Sequence, residues 1–238
     1  MSASHHSFTW LGLIPGLEHA PTHVVHLALV GTGLIGATWL ARRQVVRAMA
    51  RPDGGLIPSS RLTYLNFFEL VAERLYAFVE SVLGKHLAHT HFPLIGSTFL
   101  LILSCNLLGL IPGFLPPTDN LNTTLALGFI SFLSYNYVGL RENGLAYLKH
   151  FMGPVLPLAP LLLAIELFSH IFRPLTLGLR LRGNIMADHT ILSVFSELVP
   201  LVIPVIFYAF GLFVAFVQAF VFTLLTMVYL SLAAEHEH

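Results

Sequence analysis

Charged side chains are scarce in this sequence of 238 residues. It has 12 Lys and Arg and 12 Asp and Glu, so that 10% of the chain is charged and 55% is hydrophobic. Soluble domains carry about 25% charged residues. This chain therefore lacks the polar side chains needed to cover a soluble core, and its high hydrophobicity excludes intrinsic disorder. The composition predicts an integral membrane protein.

Other absences exclude further classes of function. A single cysteine, Cys105, excludes an internal disulfide and a CxxC site. Basic and acidic residues balance, so the composition does not favour nucleic acid as a partner. No GxxxxGK[ST] motif occurs, which argues against ATP binding by a P-loop. We expect no cofactor and no metal in this chain.

Long uncharged runs meet the spanning length of about 20 residues. Residues 24–41 predict a first span, and residues 93–140 predict a helical hairpin around the turn PPTDN. Residues 155–234 predict two further long helices. The sequence thus predicts an all-α integral membrane protein with about five membrane helices, forming a single membrane domain over residues 1–238.

Residues 61–92 have a different pattern. Apolar residues recur at helical spacing, with charged residues elsewhere around the helix. The apolar set is Phe68, Val71, Leu75, Phe78 and Val82. This pattern predicts an amphipathic helix at the cytoplasmic interface. An ordinary cytoplasmic helix packed on the bundle is the alternative.

The last two predicted helices exceed the thickness of a membrane. Residues 155–199 would extend about 67 Å and residues 201–234 about 51 Å, against a hydrocarbon core of about 30 Å. Ordinary tilts of about 20° do not absorb this excess. We expect both helices to be strongly tilted, or to bend at Pro157, Pro160 and Pro174.

The basic residues predict an orientation. Of the 12, seven lie between the first and second spans and two follow the third. By the positive-inside rule, the N-terminus is outside and the C-terminus is cytoplasmic. A bacterial inner membrane is the expected location of this compact chain.

Ionisable residues are concentrated in one hydrophobic segment. The group consists of Glu166, His170, Arg173, Arg180, Arg182, Asp188 and His189. Such groups cost about 2.5–3.5 kcal/mol each at membrane depth, and persist where they pair or line water. Steps of three or four place one set on the same helix face: Glu166, His170, Arg173, Leu177, Arg180 and Asn184. The segment predicts an ion or proton path, although Glu166 and His170 could pair with each other or with Arg173, and Arg173 could snorkel.

Arg180 is a permanent cation within this predicted path. A guanidinium stays protonated at physiological pH, so it cannot relay protons itself. It can attract a carboxylate, and it can block direct leakage between two half-paths. Because this chain offers no mobile carboxylate, the carboxylate must belong to another protein. A buried ion pair that only holds helices together is the alternative.

Gln218 is the only amide between residues 201 and 234. If the chain turns near Val199, Arg180 and Gln218 lie at the same depth, 19 residues before and after the turn. A lone Gln in such a helix is often an interhelical hydrogen-bonding group. A role in the path and this structural role both stay open.

Three segments resemble subunit a of the F-type rotary ATP synthase: RPLTLGLRLRGNIMADH (173–189), FVQAFVFTLLTMVYLSLA (216–233) and CNLLGLIPGFLPPT (105–118). The resemblance covers most of residues 68–234. The Arg180–Asn184 pair together with Gln218 is its most specific part, and Asn106 has its usual place in the second-span motif.

The resemblance implies a non-catalytic, proton-translocating stator subunit, with the ATP chemistry in other subunits. Arg180 would face the carboxylate of the c-subunit ring, between two offset half-channels. The implied partners are the c-ring, the peripheral stalk b subunits and membrane lipid, within a large hetero-oligomer. The two long helices would curve along the ring. The predicted proton path comprises Asn184, Asp188, His189, Gln218, Glu166, Ser169 and His170.

The sequence departs from the family pattern at three positions. Arg182 replaces an apolar or small residue, and Asp188 replaces a frequent glycine. Gly211 stands where some relatives have His or Glu. The outer half-channel is therefore expected to rely on Asp188 and His189, and a structural role for His189 is the alternative.

Two other classes of function fit the sequence less well. The 13 histidines suggest a haem or metal oxidoreductase, but the membrane histidines His26, His170 and His189 show no pairing at matching depth. A stand-alone ion-coupled transporter would show inverted repeats and broken helices in both halves. The polar residues of this chain are confined to one half.

Overall fold

The computed structural model describes residues 9–13, 20–50, 64–144, 147, 159–198 and 203–234. All regular structure in these residues is helical, with five α-helices: α1 (Thr22–Met49), α2 (Tyr64–Leu108), α3 (Leu121–Asn143), α4 (Ala159–Leu198) and α5 (Ile203–Ala234). Four of these helices, all except α3, are long and apolar enough to cross a membrane. The prediction of an all-α integral membrane protein is confirmed.

Helix α3 is less apolar than the other four, and several of its polar side chains face the bundle. It has 23 residues, about 35 Å of helix, which is long enough to cross the hydrocarbon core. Thr123, Thr124 and Ser131 are buried, and the Ser131 hydroxyl lies 2.9 Å from that of Thr226 on α5. The Thr124 and Ser131 hydroxyls find partners within the protein, as polar groups at membrane depth must.

Helix α2 breaks at Gly84, whereas the sequence placed a boundary between residues 92 and 93. Gly84 has φ 74° and ψ 165°, a conformation that a residue without a Cβ adopts readily. The helix continues through Pro93. The segment predicted as one amphipathic helix over residues 61–92 is therefore divided, and its last part is continuous with the next span. Residues 61–63 lie outside the described part of the chain.

Helices α4 and α5, as described, are slightly shorter than the sequence predicted. They have 40 and 32 residues, about 60 and 48 Å at 1.5 Å per residue. Helix α4 continues through Pro174. Pro160 lies in its first turn, where proline is tolerated, and Pro157 falls outside the described residues. Both helices exceed the membrane thickness, and their strong tilt stays a prediction.

Glycines bring α3 and α4 into close contact. A side chain at Gly128 would collide with the carbonyl oxygen of Pro174. A Cβ at Gly178 would lie 2.9 Å from the carbonyl oxygen of Thr124. Small residues allow such close packing of membrane helices. This contact fixes the depth of α4, and hence of its polar residues, against α3.

Helix α5 packs against α2, α3 and α4 at the centre of the bundle. One core cluster joins Val79 and Ile95 of α2 with Met227 and Leu230 of α5. A second cluster contains Phe99, Ile102, Leu127, Leu177, Leu181, Ala219 and Phe222. The second cluster holds the middle of α4 against α5, which sets the register of the candidate site.

Candidate functional site

Arg180 lies at the border between the buried and exposed faces of α4. The side chains of Leu177 and Leu181 are 2% and 0% exposed and belong to the core. Arg180 itself is exposed, and so are its neighbours Leu179 and Met186. Within the described ranges, its guanidinium has no hydrogen bond or ion pair. The site therefore presents an unpaired cation on a largely apolar surface of the chain.

One turn beyond Arg180, α4 is joined to α5 by a hydrogen bond. The Nδ2 atom of Asn184 donates to Oε1 of Gln218 at 2.6 Å. Gln218 is 4% exposed, so its amide faces the interior. The depth argument placed Gln218 level with Arg180, and the contact is made by Asn184, one turn farther along the helix.

Asp188 and His189 line a cavity beyond this hydrogen bond. Its volume is about 30 Å³, and its other polar wall is Asn106 of α2. A cavity of this size with several polar partners can hold water. Gly211 and Ala215 of α5 also line it, among apolar side chains. The structure thus brings together four of the predicted residues, Asn184, Gln218, Asp188 and His189, along adjoining turns of α4 and α5.

Asn106 is fixed by two hydrogen bonds. Its Oδ1 accepts from the Thr118 hydroxyl at 2.8 Å, and its Nδ2 donates to the carbonyl oxygen of Ala215 at 3.4 Å. The side chain is buried. Sequence reasoning noted Asn106 as part of a motif and missed Thr118, whose only signal was its place at the end of the same motif. The two hydrogen bonds hold the Asn106 side chain in place between α2 and α5, where it lines the cavity.

In the opposite direction along α4, Glu166 forms an ion pair with Arg173. The Arg173 Nη2 atom lies 3.0 Å from Glu166 Oε1. The guanidinium carbon of Arg173 also lies 5.2 Å from the ring centroid of Tyr229. Of the alternatives that the sequence left open, the structure selects this pair. The Arg173 guanidinium is thus held between Glu166 and Tyr229.

His170 belongs to a separate hydrogen-bonded group. Its Nε2 atom lies 2.9 Å from Oδ1 of Asn136, which also accepts a hydrogen bond from the Tyr147 hydroxyl at 3.2 Å. Because the Nδ2 atom of Asn136 donates to the Phe132 carbonyl, its Oδ1 is the accepting end, and His170 donates from Nε2. Burial raises the pKa of Tyr147, which keeps its hydroxyl protonated as a donor.

Sequence reasoning missed Asn136 and Tyr147. Neither belongs to a recognised motif, and both are more than 20 residues from His170 in the sequence. An asparagine in an otherwise apolar run was the one available signal, because an amide at membrane depth needs partners.

The remaining predicted residues do not join these groups. Ser169 is exposed on α4, without a hydrogen bond in the part of the chain that the structure describes. Arg182, an unexplained extra charge in the sequence, donates from Nε to the carbonyl oxygen of Asp119 at 3.1 Å. Asp119 ends a short 3-10 helix, Pro117–Asp119. Arg182 therefore ties α4 to the connection between α2 and α3.

The described residues contain no cluster of three or more His, Cys, Asp or Glu that could hold a metal ion. His26 hydrogen-bonds within its own helix, with Nδ1 2.6 Å from the carbonyl oxygen of Thr22. His170 bonds Asn136, and His189 lines the cavity. Each of these three histidines thus has its own separate polar environment.

Comparison with known proteins identifies the family. The model for "ATP synthase A chain" matches residues 24–231. The chain belongs to this family. ATP synthase subunit a of Bdellovibrio bacteriovorus is 47% identical over 233 residues, covering 98% of this chain and 100% of that protein. ATP synthase subunit a 2 of Syntrophotalea carbinolica is 44% identical over 216 residues, covering 91% and 87%.

A third relative in the ATP synthase A chain family, ATP synthase subunit a of Geobacter sulfurreducens, is 41% identical over 216 residues, covering 90% of this chain and 93% of that protein. Family membership confirms the resemblance that residues 173–189 and 216–233 carry. Together with the four long apolar helices, it identifies a multi-pass membrane protein of the ATP synthase.

Proposed function

We propose that this chain is the proton-translocating stator subunit of the ATP synthase membrane sector. Protons pass through one half-channel to a carboxylate on the c-subunit ring. They leave through a second half-channel after the ring has turned. Proton flow thereby drives rotation and ATP synthesis, whose chemistry belongs to other subunits. The chain itself is not a catalytic subunit.

The observation that carries this proposal is the unpaired, exposed guanidinium of Arg180. A cation on an apolar membrane surface is costly unless a counter-charge reaches it. No carboxylate among the described residues does so. A ring carboxylate from a partner would supply that charge, attract the guanidinium when ionised, and release it when protonated. A fixed cation at this point also prevents protons from crossing directly between the half-channels.

The outer half-channel follows the polar residues between Arg180 and the cavity. Asp188 is eight residues from Arg180, about 12 Å along the helix. Water in the cavity beside Asp188 and His189 would deliver protons toward Asn184 and Gln218. Their hydrogen bond of 2.6 Å marks the end of this route nearest Arg180.

The second half-channel lies toward the start of α4. Glu166 is 14 residues from Arg180, about 21 Å along the helix. Its carboxylate is partly exposed and paired with Arg173, and Ser169 lies exposed between these two residues of α4. His170 lines this side through its bond to Asn136. The two routes thus approach Arg180 from opposite ends of the same helix.

This function implies an assembly and an orientation. The chain would contact the c-ring through α4 and α5, and the peripheral stalk b subunits elsewhere, within the lipid of a bacterial inner membrane. Its N-terminus would lie outside and its C-terminus in the cytoplasm. The exposed apolar side chains of α4 and α5, such as Phe172, Phe213 and Phe216, form a suitable surface for ring and lipid.

The decisive test is Arg180→Ala in the complete ATP synthase. ATP-driven proton pumping into inverted membrane vesicles should be abolished, because the ring carboxylate loses its counter-charge. The complex should still assemble, since Arg180 has no bond to other described residues. Pumping is followed with a pH-sensitive dye and assembly by copurification of the c subunits.

Arg141→Ala is the matched control, because Arg141 is an exposed arginine in the last turn of α3. It should pump at the unmodified rate. Retained pumping by Arg180→Ala would refute the proposal. Proton uptake by the purified chain alone in lipid vesicles would instead favour the alternative, a stand-alone ion-coupled transporter.

A further inference from the structure

Tyr135 of α3 lies between the hydrogen-bonded group of His170 and the ion pair of Arg173. Its side chain is buried, with 1% exposed. The Tyr135 ring packs edge-on against the imidazole of His170, with centroids 5.4 Å apart, and its centroid lies 5.7 Å from that of the Tyr229 ring. The Arg173 guanidinium contacts the same Tyr229 ring. Tyr135 is therefore in contact with both polar surroundings at once.

The hydroxyl of Tyr135 has no hydrogen bond to the part of the chain that the structure describes. The Asn136 side chain lies close to this hydroxyl but outside hydrogen-bonding geometry. The oxygen of that amide already accepts from His170 and Tyr147, and its nitrogen donates to the Phe132 carbonyl. Both lone pairs of the amide oxygen are therefore in use. The hydroxyl proton of Tyr135 is left without an acceptor among the described residues.

Ring packing alone does not account for this hydroxyl. A phenylalanine at position 135 would make the same ring contacts with Phe132, His170 and Tyr229. It would also avoid burying an unsatisfied donor, which destabilises a protein. Buried polar atoms that lack a protein partner bind ordered water. The charge of Arg173 acts on the Tyr135 hydroxyl, so a water beside it would lie in polar surroundings.

The position of Tyr135 along the bundle relates it to the second half-channel. Its contact on α4, His170, is ten residues from Arg180, about 15 Å, and four residues from Glu166, about 6 Å. Tyr135 thus lies at a depth between Arg180 and the proposed exit. Ser169, on the same stretch of α4, is exposed on the surface of the chain. A route past Tyr135 would instead run through the interior of the bundle.

We propose that Tyr135 is a further proton-path residue of the second half-channel, whose hydroxyl binds water between the His170 group and the Arg173 ion pair. The hydroxyl donates to one water and accepts from another. One water transfers a proton to the Oη atom while Oη transfers its own proton to the other water, so the phenol is regenerated. This inference rests on the proposed function, because it assigns a residue to the exit route of the protons.

The test is Tyr135→Phe in the complete ATP synthase, reconstituted in lipid vesicles. This change keeps the ring and removes only the hydroxyl. ATP synthesis under an imposed pH gradient should fall by about fivefold or more, the factor that corresponds to one lost hydrogen bond in the path. Tyr137→Phe is the matched control, because Tyr137 is two residues away on α3 and 63% exposed. It should synthesise ATP at the unmodified rate.

Two further measurements on Tyr135→Phe separate a role in proton transfer from a role in packing. The ratio of synthesis rates in H2O and D2O should increase, because proton transfer at this point becomes rate-limiting. The temperature at which the purified complex loses this chain should stay unchanged, since every ring contact of Tyr135 is retained.

Access of water to this position is measured independently of activity. In a Cys105→Ser background, a Tyr135→Cys variant in inverted vesicles is treated with silver ions, which enter aqueous paths. Silver should protect the new thiol from maleimide labelling after denaturation. Ile102→Cys is the control, because Ile102 is buried in an apolar core cluster and its replacement should gain no protection.

Undiminished synthesis by Tyr135→Phe would overturn the proposal. A loss of synthesis together with a lower dissociation temperature would overturn it too, because it would indicate a packing role. The same holds for a Tyr135→Cys variant that silver does not protect. Full activity of Tyr135→Phe beside an inactive Arg180→Ala variant would refute the role of Tyr135 alone and leave the proposed function intact.

Discussion

Among the described residues that line the cavity beside His189, Asp188 is the only carboxylate. On the facing helix α5, Gly211 contributes no side chain to the same cavity. A Cβ at Gly211 would lie 2.8 Å from Cδ2 of Leu110, so the position has little room for a larger group. In this chain the acidic group of the cavity therefore comes from α4.

We predict that Asp188→Asn lowers proton-driven ATP synthesis by a factor on the order of 100, because an amide cannot exchange the proton that a carboxylate carries. Asp188→Glu should retain most of the activity. The measurement is ATP synthesis by reconstituted complex under an imposed pH gradient.

Glu142→Gln removes an exposed carboxylate at the end of α3 and should synthesise ATP at the unmodified rate. An Asp188→Asn complex with undiminished synthesis would show that His189 and Asn106 suffice for the cavity. The same outcome would remove Asp188 from the proposed path.

At the scale of elements, the contact between α3 and α4 determines where the polar residues of α4 lie. It depends on Gly128 and Gly178, each of which approaches a carbonyl oxygen of the other helix. It also allows Asn136 of α3 to reach His170 of α4. A change of spacing between these helices would displace both the contact of His170 with Asn136 and the contact of Asn184 with Gln218.

Gly128→Ala should destabilise the assembled protein by about 1–3 kcal/mol, the usual cost of overpacking. The added methyl group would collide with the Pro174 carbonyl, which as backbone cannot rotate away. The measurement is the temperature at which the purified complex loses this chain, and that temperature should fall.

Gly36→Ala is the matched control, since the same methyl group on α1 would meet no atom within 4 Å. This change should be neutral or stabilise by up to about 1 kcal/mol through helix propensity. Equal effects of the two substitutions would refute the packing role of Gly128.

The break in α2 illustrates what sequence patterns miss at this scale. The uncharged run that begins at residue 93 predicted the boundary there, and proline is in general a strong helix breaker. The structure instead turns at Gly84 and accommodates Pro93 within a helix. Local propensity cannot choose between the two, because the choice depends on how each half of α2 packs against α1 and α5.

For the whole molecule, the distribution of basic residues predicts one orientation. Nine of the 12 Lys and Arg lie outside the segment between Glu166 and His189, and all of them fit a cytoplasmic C-terminus. Cys105 is the single cysteine of the sequence, so its replacement by serine leaves no other thiol to react with a labelling reagent.

In a Cys105→Ser background, we predict that Ser4→Cys reacts with a membrane-impermeant maleimide in cells with a permeabilised outer membrane. His238→Cys should react only in inverted vesicles or after detergent. The measurement is the extent of maleimide labelling of the purified chain. The reverse pattern would contradict the predicted topology, and the detergent sample controls for the reactivity of both cysteines.

The sequence by itself determined the class, the family and the residues of interest. Scarce charge and long apolar runs require a membrane, and ionisable residues at membrane depth are conspicuous because each is costly. Only the tertiary structure decided the partners of those residues: Asn184 with Gln218, Glu166 with Arg173, His170 with Asn136, and Arg182 with the Asp119 carbonyl. The physical reason is that composition determines whether a chain is stable in a membrane or in water. Hydrogen bonds of 2.6–3.1 Å depend instead on the depth and rotation of each helix, which helix packing sets.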